Sequence, residues 1–563
     1  MAASTSYHGP AGSDDDDDAA VVGGHVVTVD DEEESASWTD GGIDLEMDSP
    51  RSRSHRGVPT FDSDASDSDG GNEAYEMQDR RRFTSEEERA VVSKFDRKLV
   101  VFVALLYMLS FLDRSNIGNA RVAGMDADLA PPGQIGSGWY EWALSAFYLS
   151  YILFEWMALL WRVVPAHIYV SLLVLSWGLT ASLQGVAVNY PMLVALRALL
   201  GIGEAGFTGV PFYLSFFYKR EELAFRTAMF ISAAPLATTF ASSLAWVIMK
   251  VGEGGPIAPW RLLFLVEGFP SVLAGVVAWY VIPDSPSTAG YLTARERRVA
   301  RLRLVSSSSS ASQSGRGKKT GGRVRETLSV LMDPSAWLTS AIFFLTNMAY
   351  SSLPVFLPTI LTAMGHSAQS AQALAAPPYF ASFLIVLATA HASDATASRS
   401  PYLIVHALFS AGGYAILALT GPNGIVMLSP GSLVRYLAVY PATVGFFNVV
   451  VLTVAWTLNN QAEEGKRGLG FALMQAVGQC GPLVGTRLYP DGEGPYYERG
   501  MAVCAGAMGV VALLGVGLRV YLGWRNRRMD GEERMGEGGE EEGEALVGEE
   551  QRGALKKGFR YML

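Results

Sequence analysis

Apolar and polar positions along this chain fall into long blocks. Between residues 98 and 523, stretches of about 20 residues that are apolar on every side follow one another, separated by short polar turns. A helix apolar all round is buried in protein or in lipid, and crossing roughly 30 Å of hydrocarbon at 1.5 Å per residue takes about 20 residues. Twelve such segments can be drawn: 98–118, 138–160, 166–186, 190–216, 226–249, 262–283, 336–361, 373–391, 402–420, 433–456, 468–489 and 500–523. They divide six and six around the one long polar insert, 284–334, whose run SSSSSASQSGRGKKTGG reads as a flexible linker. The pattern predicts an all-α membrane protein with a first set of helices over 91–283 and a second over 335–524. A basic turn with proline follows segment 2 (Arg162, Pro165) and segment 8 (Arg399, Pro401), as expected of a duplicated unit. SEEERAVVSKFDRKLV, before segment 1, reads as an amphipathic helix lying at the interface.

Lys and Arg placement orients the helices. Basic clusters precede segment 1, follow segment 4, fill the insert and follow segment 12, whereas the opposite loops hold only Arg121, Lys250, Arg261 and Arg499. This places both termini in the cytosol and makes the chain an integral, multi-pass protein, with the plasma membrane the expected location. The net charge of −11 is uneven: residues 1–79 carry −18 and 529–563 carry −5, leaving +12 on the body. Acidic, serine-containing tails over 1–90 and 525–563 are expected to be disordered in the cytosol. No basic-then-apolar start resembles a signal peptide. The bases lie beside apolar segments and form no continuous basic face, which argues against nucleic-acid binding. Cys480 and Cys504, both in apolar surroundings, make neither a disulfide framework nor a metal set. GRGKKT lacks the first glycine of a phosphate-binding loop. No enzyme and no cofactor is expected, so an ion gradient would have to supply the energy.

The chemistry lies in the few charges inside the apolar segments, which are rare in membranes and usually face a cavity or each other. SFLDRSNIG places Asp113 and Arg114 near the end of segment 1, about 21 Å from its start. LRALLGIGEAGF places Arg197 and Glu204 seven residues apart in segment 4, two turns along one face. Arg197, Gly201 and Ala205 form a stripe that admits a close helix neighbour. By depth, Asp113, Arg114 and Arg197 share a layer and Glu204 lies one layer deeper. Arginines suit a bidentate carboxylate ligand, and a carboxylate in a dry layer beside an arginine is a group that exchanges a proton. Two ion pairs that simply lock helices together are the alternative reading. Glu155 and Glu267, near opposite ends of segments 2 and 6, read as latches or anchors. The second half offers uncharged polar groups instead: Asn347, Tyr350 and Ser351, then Asn448, Trp456, Asn459 and Asn460, then Gln475 and Gln479. Pro354 and Pro358 are expected to bend segment 7, and Gly478, Gly481, Pro482 and Gly485 to bend segment 11.

LLYMLSFLDRSNIGNARVAGM, LRALLGIGEAGF with YLSFFYKREELAFRTAMFISAA, WRLLFLVEGFPSVLAGVVAWYVIPDSPSTAGYLTARER, SLPVFLPTIL, PPYF and AWTLNNQAEEGKRGLGFAL occur in this order over about 90–525. Together they resemble the anion:cation symporters of the major facilitator superfamily, in the fungal branch that includes allantoate, nicotinate and pantothenate permeases. The resemblance implies twelve helices in two six-helix bundles around a central cavity. It implies alternating access and import of a small organic anion, such as a monocarboxylate, vitamin-like or ureide-like molecule, with protons, by a monomer in the lipid bilayer. It assigns anion binding to Arg114 and Arg197 and proton coupling to Asp113 and Glu204; Asn347, Tyr350, Trp456 and Gln479 are the candidate further contacts among the polar groups of the second half, with helix–helix contact, or core packing for Trp456, as the competing reading. Gln479 stands where the family has asparagine. The superfamily's cytoplasmic Gly-x3-Asp-Arg signature is reduced to Arg162 in the first half; in the second, Ser393 and Asp394 remain, with Ala395 in place of arginine and Arg399 further on. These residues, with Glu155 and Glu267, are assigned gating or structural roles. A transporter-like nutrient sensor and a drug or metabolite exporter are the competing functions.

Overall fold

The computed structural model describes residues 83–130, 138–252, 254–312, 330–460, 464–543 and 560–563. Residues 1–82 and 544–559 of the expected tails, and 313–329 of the expected linker, lie outside the described residues. Among the described residues all regular structure is helical. The segment helices are α1 Val101–Ala120, α2 Trp139–Phe154, α3 Ala166–Leu183, α4 Tyr190–Ala205, α5 Ala233–Val251 and α6 Pro259–Val281. The second set is α7 Pro334–Ala363, α8 Ala368–Ala395, α9 Ser400–Leu419, α10 Leu433–Asn459, α11 Glu464–Gly478 and α12 Glu498–Gly543. Several begin on a polar residue of the preceding turn. Asn189 accepts from the Met192 amide, Ser432 from Arg435 and Ser367 from Ser370, while Asp333 caps α7 with Pro334 in its first turn.

Among the described residues, nine helices are long and apolar enough to cross a bilayer, and a shorter apolar one spans Leu469–Gly485. The remaining two, α1 and α2, fall outside that set. α1 carries the Asp113-Arg114 pair, and α2 gives way after 16 residues to a 3₁₀ segment, Glu155–Arg162. α11 stops at Gly478 and resumes as a single turn, Gly481–Gly485, as its glycines foretell, whereas α7 runs on through Pro354 and Pro358. Leucines such as Leu149, Leu153, Leu179, Leu408 and Leu513 are more than half exposed, an apolar belt that only a lipid environment would cover.

The helices form two six-helix bundles. In the first, α6 lies along α3, α2 along α4, and α1 between α5 and α6; in the second, α9 lies along α12 and α10, α8 along α10, and α7 beside α11 and α12. Across the divide, α5 meets α8, α1 meets α7, and the helix Arg220–Ile231 preceding α5 meets α10. Glycine permits two of the closest approaches. A Cβ on Gly201 would lie 2.3 Å from the Phe147 carbonyl oxygen of α2, and one on Gly118 would lie 2.1 Å from that of Val355 on α7. The first is the predicted small stripe; the second joins the two bundles.

The face at which α1 begins, here the basic face, is laced by ion pairs. The predicted surface helix is present as Ser85–Phe95, opened by a capping box between Thr84 and Glu87. Lys94 meets Glu296 at 2.6 Å, Lys219 meets Glu88 at 2.6 Å, and Arg226 meets Asp96 at 2.6 Å. Arg303, fully buried, donates to Glu222, to Glu88 and to the Phe217 carbonyl. The insert therefore departs from a flexible linker at its start: Ala294–Ser312 is a helix that continues into the serine run. Serine alone does not favour helix, but Val299, Ala300 and Arg303 are buried against the first bundle and anchor the preceding turns. α12 likewise extends past its apolar part to Gly543.

Candidate functional site

Tyr107, Ser110 and Arg114 recur at intervals of three and four on α1 and so share one face, which is turned to the centre of the molecule. There Arg114 meets α4. Its Nη2 lies 2.6 Å and its Nε 3.2 Å from Glu204 Oε2, and Ser110 Oγ donates to the same oxygen at 2.8 Å. The Glu204 side chain is wholly enclosed and its Oε1 has no partner; that of Arg114 keeps 12 % of its surface open. The guanidinium stands 5.0 Å from the ring centres of both Phe147 and Tyr151 of α2 and 6.0 Å from that of Phe111, positions at which an aromatic face attracts a cation.

Arg197 lies behind this pair. Its Nη1 donates to the Arg114 carbonyl at 3.0 Å, while Nε and Nη2 have no partner. Asp113 looks away: neighbours on a helix point about 100° apart, and Asp113 Oδ2 accepts from Ser271 Oγ of α6 at 2.6 Å, its other oxygen unpaired. Glu267, one turn before Ser271, is buried with neither oxygen bonded. The structure thus joins Arg114, Glu204 and Arg197 directly, while Asp113 faces α6.

Arg114 opens onto a cavity between the bundles. Tyr107, Tyr148 and Tyr151 line it from the first bundle, and Asn347, Tyr350, Gln475 and Gln479 from the second, with Phe207, Phe230, Phe343, Phe471 and Val454 completing the wall. Among the described residues Arg114 is the one charged side chain lining it. The open space is about 70 Å³, room for a handful of waters at roughly 10–15 Å³ each. Tyr107 and Tyr350 hydroxyls, 3.3 Å apart, bridge the bundles on the side nearer the basic face. On the opposite face Arg121 joins Asp126 at 2.9 Å to Asp491 at 2.8 Å, again across the divide.

The other expected site residues are scattered. Asn347, Tyr350 and Gln479 line the cavity, Asn347 Nδ2 also donating to the Gly478 carbonyl at 3.2 Å. Trp456 does not line it; it is fully buried at the basic-face end of α10, its Nε1 donating to the Met562 carbonyl at 2.8 Å. Glu155 heads the 3₁₀ segment, with Oε1 unpaired. Arg162 ends that segment, and its side chain lies outside the described residues. Asp394 and Arg399 form an ion pair at the α8–α9 turn, where Arg399 Nη1 also donates to Ser393 Oγ at 2.9 Å. The aromatic lining from the first bundle was missed: Tyr148 and Tyr151, three apart on one face of α2, were the available signal, masked by the five other aromatics of that helix. Nothing local marks Ser271 as the partner of Asp113. Among the described residues no group of His, Cys, Asp and Glu is placed to hold a metal.

Two helical bundles packed around an aromatic-lined cavity with a few polar groups, in a chain girdled with exposed leucine, have the architecture of a membrane carrier. The comparisons agree. The family model described as Major Facilitator Superfamily matches residues 103–486. The chain is 31 % identical over 452 residues to "MFS transporter prlL" of Fungal sp. (strain NRRL 50135), covering 79 % of this chain and 88 % of that one. It is 27 % identical over 456 residues to "Major facilitator-type transporter hxnP" of Emericella nidulans, covering 80 % and 88 %. The fold matches the proton:xylose symporter XylE with a TM-score of 0.58 at 15 % identity, over 77 % of this chain and 96 % of that one. The chain belongs to the major facilitator superfamily.

Proposed function

We propose that this transporter imports a small organic anion together with protons, as the anion:cation symporter branch does, acting as a monomer in the plasma membrane with its basic face to the cytosol. The observation that carries this is Arg114: the cavity's one charged lining residue among those described, tied to a carboxylate that is itself buried. With Glu204 ionised, the guanidinium is satisfied internally. A proton placed on Glu204 cancels that pair and frees the fork for a carboxylate arriving in the cavity. Proton and anion then enter together, and the dry layer holds no net charge before or after. The tyrosine hydroxyls and the amides of Asn347, Gln475 and Gln479 supply neutral contacts for the rest of the cargo.

Uptake of radiolabelled monocarboxylates into proteoliposomes, with and without an inward proton gradient, tests the proposal. Accumulation should follow the gradient for the unaltered protein. Glu204→Gln should retain anion exchange without a gradient but lose gradient-driven accumulation. Uptake indifferent to pH in the unaltered protein removes the coupling, and cationic cargo preferred over anionic removes the substrate class.

A further inference from the structure

Residues 560–563, Arg-Tyr-Met-Leu, lie against the basic-face ends of the second bundle. Their backbone is read group by group. The Tyr561 amide donates to Asn526 Oδ1 at 2.9 Å and its carbonyl accepts from Asn526 Nδ2 at 2.9 Å. The Met562 amide donates to Asn460 Oδ1 at 2.7 Å, and its carbonyl accepts from Asn460 Nδ2 at 3.0 Å and Trp456 Nε1 at 2.8 Å. The Leu563 carbonyl oxygen accepts from the Arg399 amide and from Ser398 Oγ, each at 2.8 Å. A carboxamide matched to both the N–H and the C=O of one residue is a two-point clamp, and here two clamps grip consecutive residues.

Side chains add selectivity. Arg560 meets Asp530 at 2.6 Å, the Tyr561 ring lies 4.6 Å from the Arg525 guanidinium carbon, and Met562 Sδ lies 3.2 Å from Asn459 Nδ2. The contacts come from three elements: the last turn of α10, the α8–α9 turn and α12. Such convergence of buried and half-buried donors on four residues resembles the recognition of a short peptide ligand.

We propose that the basic-face end of the second bundle is a peptide-binding site, that its occupant is this chain's own Arg560–Leu563 segment, and that occupancy holds the last turn of α10 in place. α10 also supplies Val450 and Val454 to the cavity wall and meets the helix Arg220–Ile231 of the other bundle. The docked segment therefore bears on the side of the cavity nearer the basic face, whatever the cavity carries.

Hydrogen–deuterium exchange of the full chain in lipid nanodiscs tests this. The bonded amides of Tyr561 and Met562 exchange only when the segment lifts off. They should exchange at least tenfold more slowly than in the free peptide Arg-Tyr-Met-Leu, a docking preference of about 1.4 kcal/mol. Asn460→Ala with Asn526→Ala should return them to the free rate. Deleting 560–563 should speed exchange at 455–460 while the first bundle, the internal control for folding, keeps its rates. Free-peptide exchange in the unaltered chain, protection that survives the double substitution, or no change at 455–460 on deletion each overturns the proposal.

Discussion

Removing the guanidinium from Arg114 and leaving Glu204 in place strands a carboxylate at the centre of the fold. The Glu204 side chain has no exposed surface, and after Arg114→Ala its single remaining bond would be that from Ser110. Breaking one side of a buried ion pair typically costs about 3–5 kcal/mol, because the survivor keeps its desolvation penalty without its partner. Arg197 acts on Glu204 only through space, since its one hydrogen bond goes to a backbone carbonyl, so it offsets part of the loss without restoring the pair. Arg114→Ala should therefore lower stability by about that amount at neutral pH. The deficit should shrink as pH falls, since a protonated carboxyl is cheaper to bury than an ionised one. Adding Glu204→Gln should recover most of the stability, because the amide keeps the Ser110 contact and carries no charge. Neither variant should transport. Thermal unfolding in detergent across a pH series, with uptake measured on the same preparations, reads both quantities. A single variant as stable as the unaltered protein, or a double variant less stable than the single, would show that the pair is not the closed electrostatic unit described here.

Three further outcomes follow from particular contacts. Gly118→Ala places a methyl within 2.1 Å of the Val355 carbonyl oxygen, so it should push α1 from α7 at a cost of about 1–3 kcal/mol; spin labels on the two bundles should show the opposite face widened. Glu267→Met should raise thermal stability by about 1–3 kcal/mol, the usual cost of an unsatisfied buried polar group; a fall would mean that the acid has a partner in the membrane. On the basic face, burial pushes the Glu88 carboxyl up, yet Lys219 and Arg303 outweigh it and hold it below the usual carboxylate range, and Lys94 with Thr293 does the same for Glu296. Lowered folded values mean that these pairs contribute fully above the unfolded value of about 4.3 and lose that contribution as pH falls through the folded ones. Spin labels at the exposed positions Arg89 and Arg298 should give a narrow distance distribution at pH 7 that broadens below about pH 4, and a distribution unchanged by acid would refute it.

Much of the architecture was legible because lipid imposes a simple rule on sequence. Blocks apolar all round mark the helices, and any charge inside them stands out, as Arg114, Arg197 and Glu204 do. What the sequence did not disclose was pairing. Asp113 and Arg114 are adjacent, and only the rotation of α1 against α4 and α6 assigns one to Glu204 and the other to Ser271. The tyrosines of α2 look like ordinary filler until the bundles meet. The helix after α6 hides in a serine-rich insert because its anchor, Arg303, draws its stability from Glu88 and Glu222, far away in the chain. Trp456 belongs by type to a ligand pocket, yet its indole N–H faces residues more than a hundred positions on.

The two closures of the cavity differ in kind but not in strength. Between Tyr107 and Tyr350 stands a neutral hydroxyl contact, worth about 0.5–1.5 kcal/mol net. Between Arg121 and Asp491 stands an ion pair whose arginine is 9 % and whose acid is 40 % exposed, and solvent on the acid holds such a pair to about 1 kcal/mol. Two doors that each hold by roughly 1 kcal/mol bias an equilibrium about fivefold. A cargo offering one or two good hydrogen bonds is then enough to swing the balance toward either side.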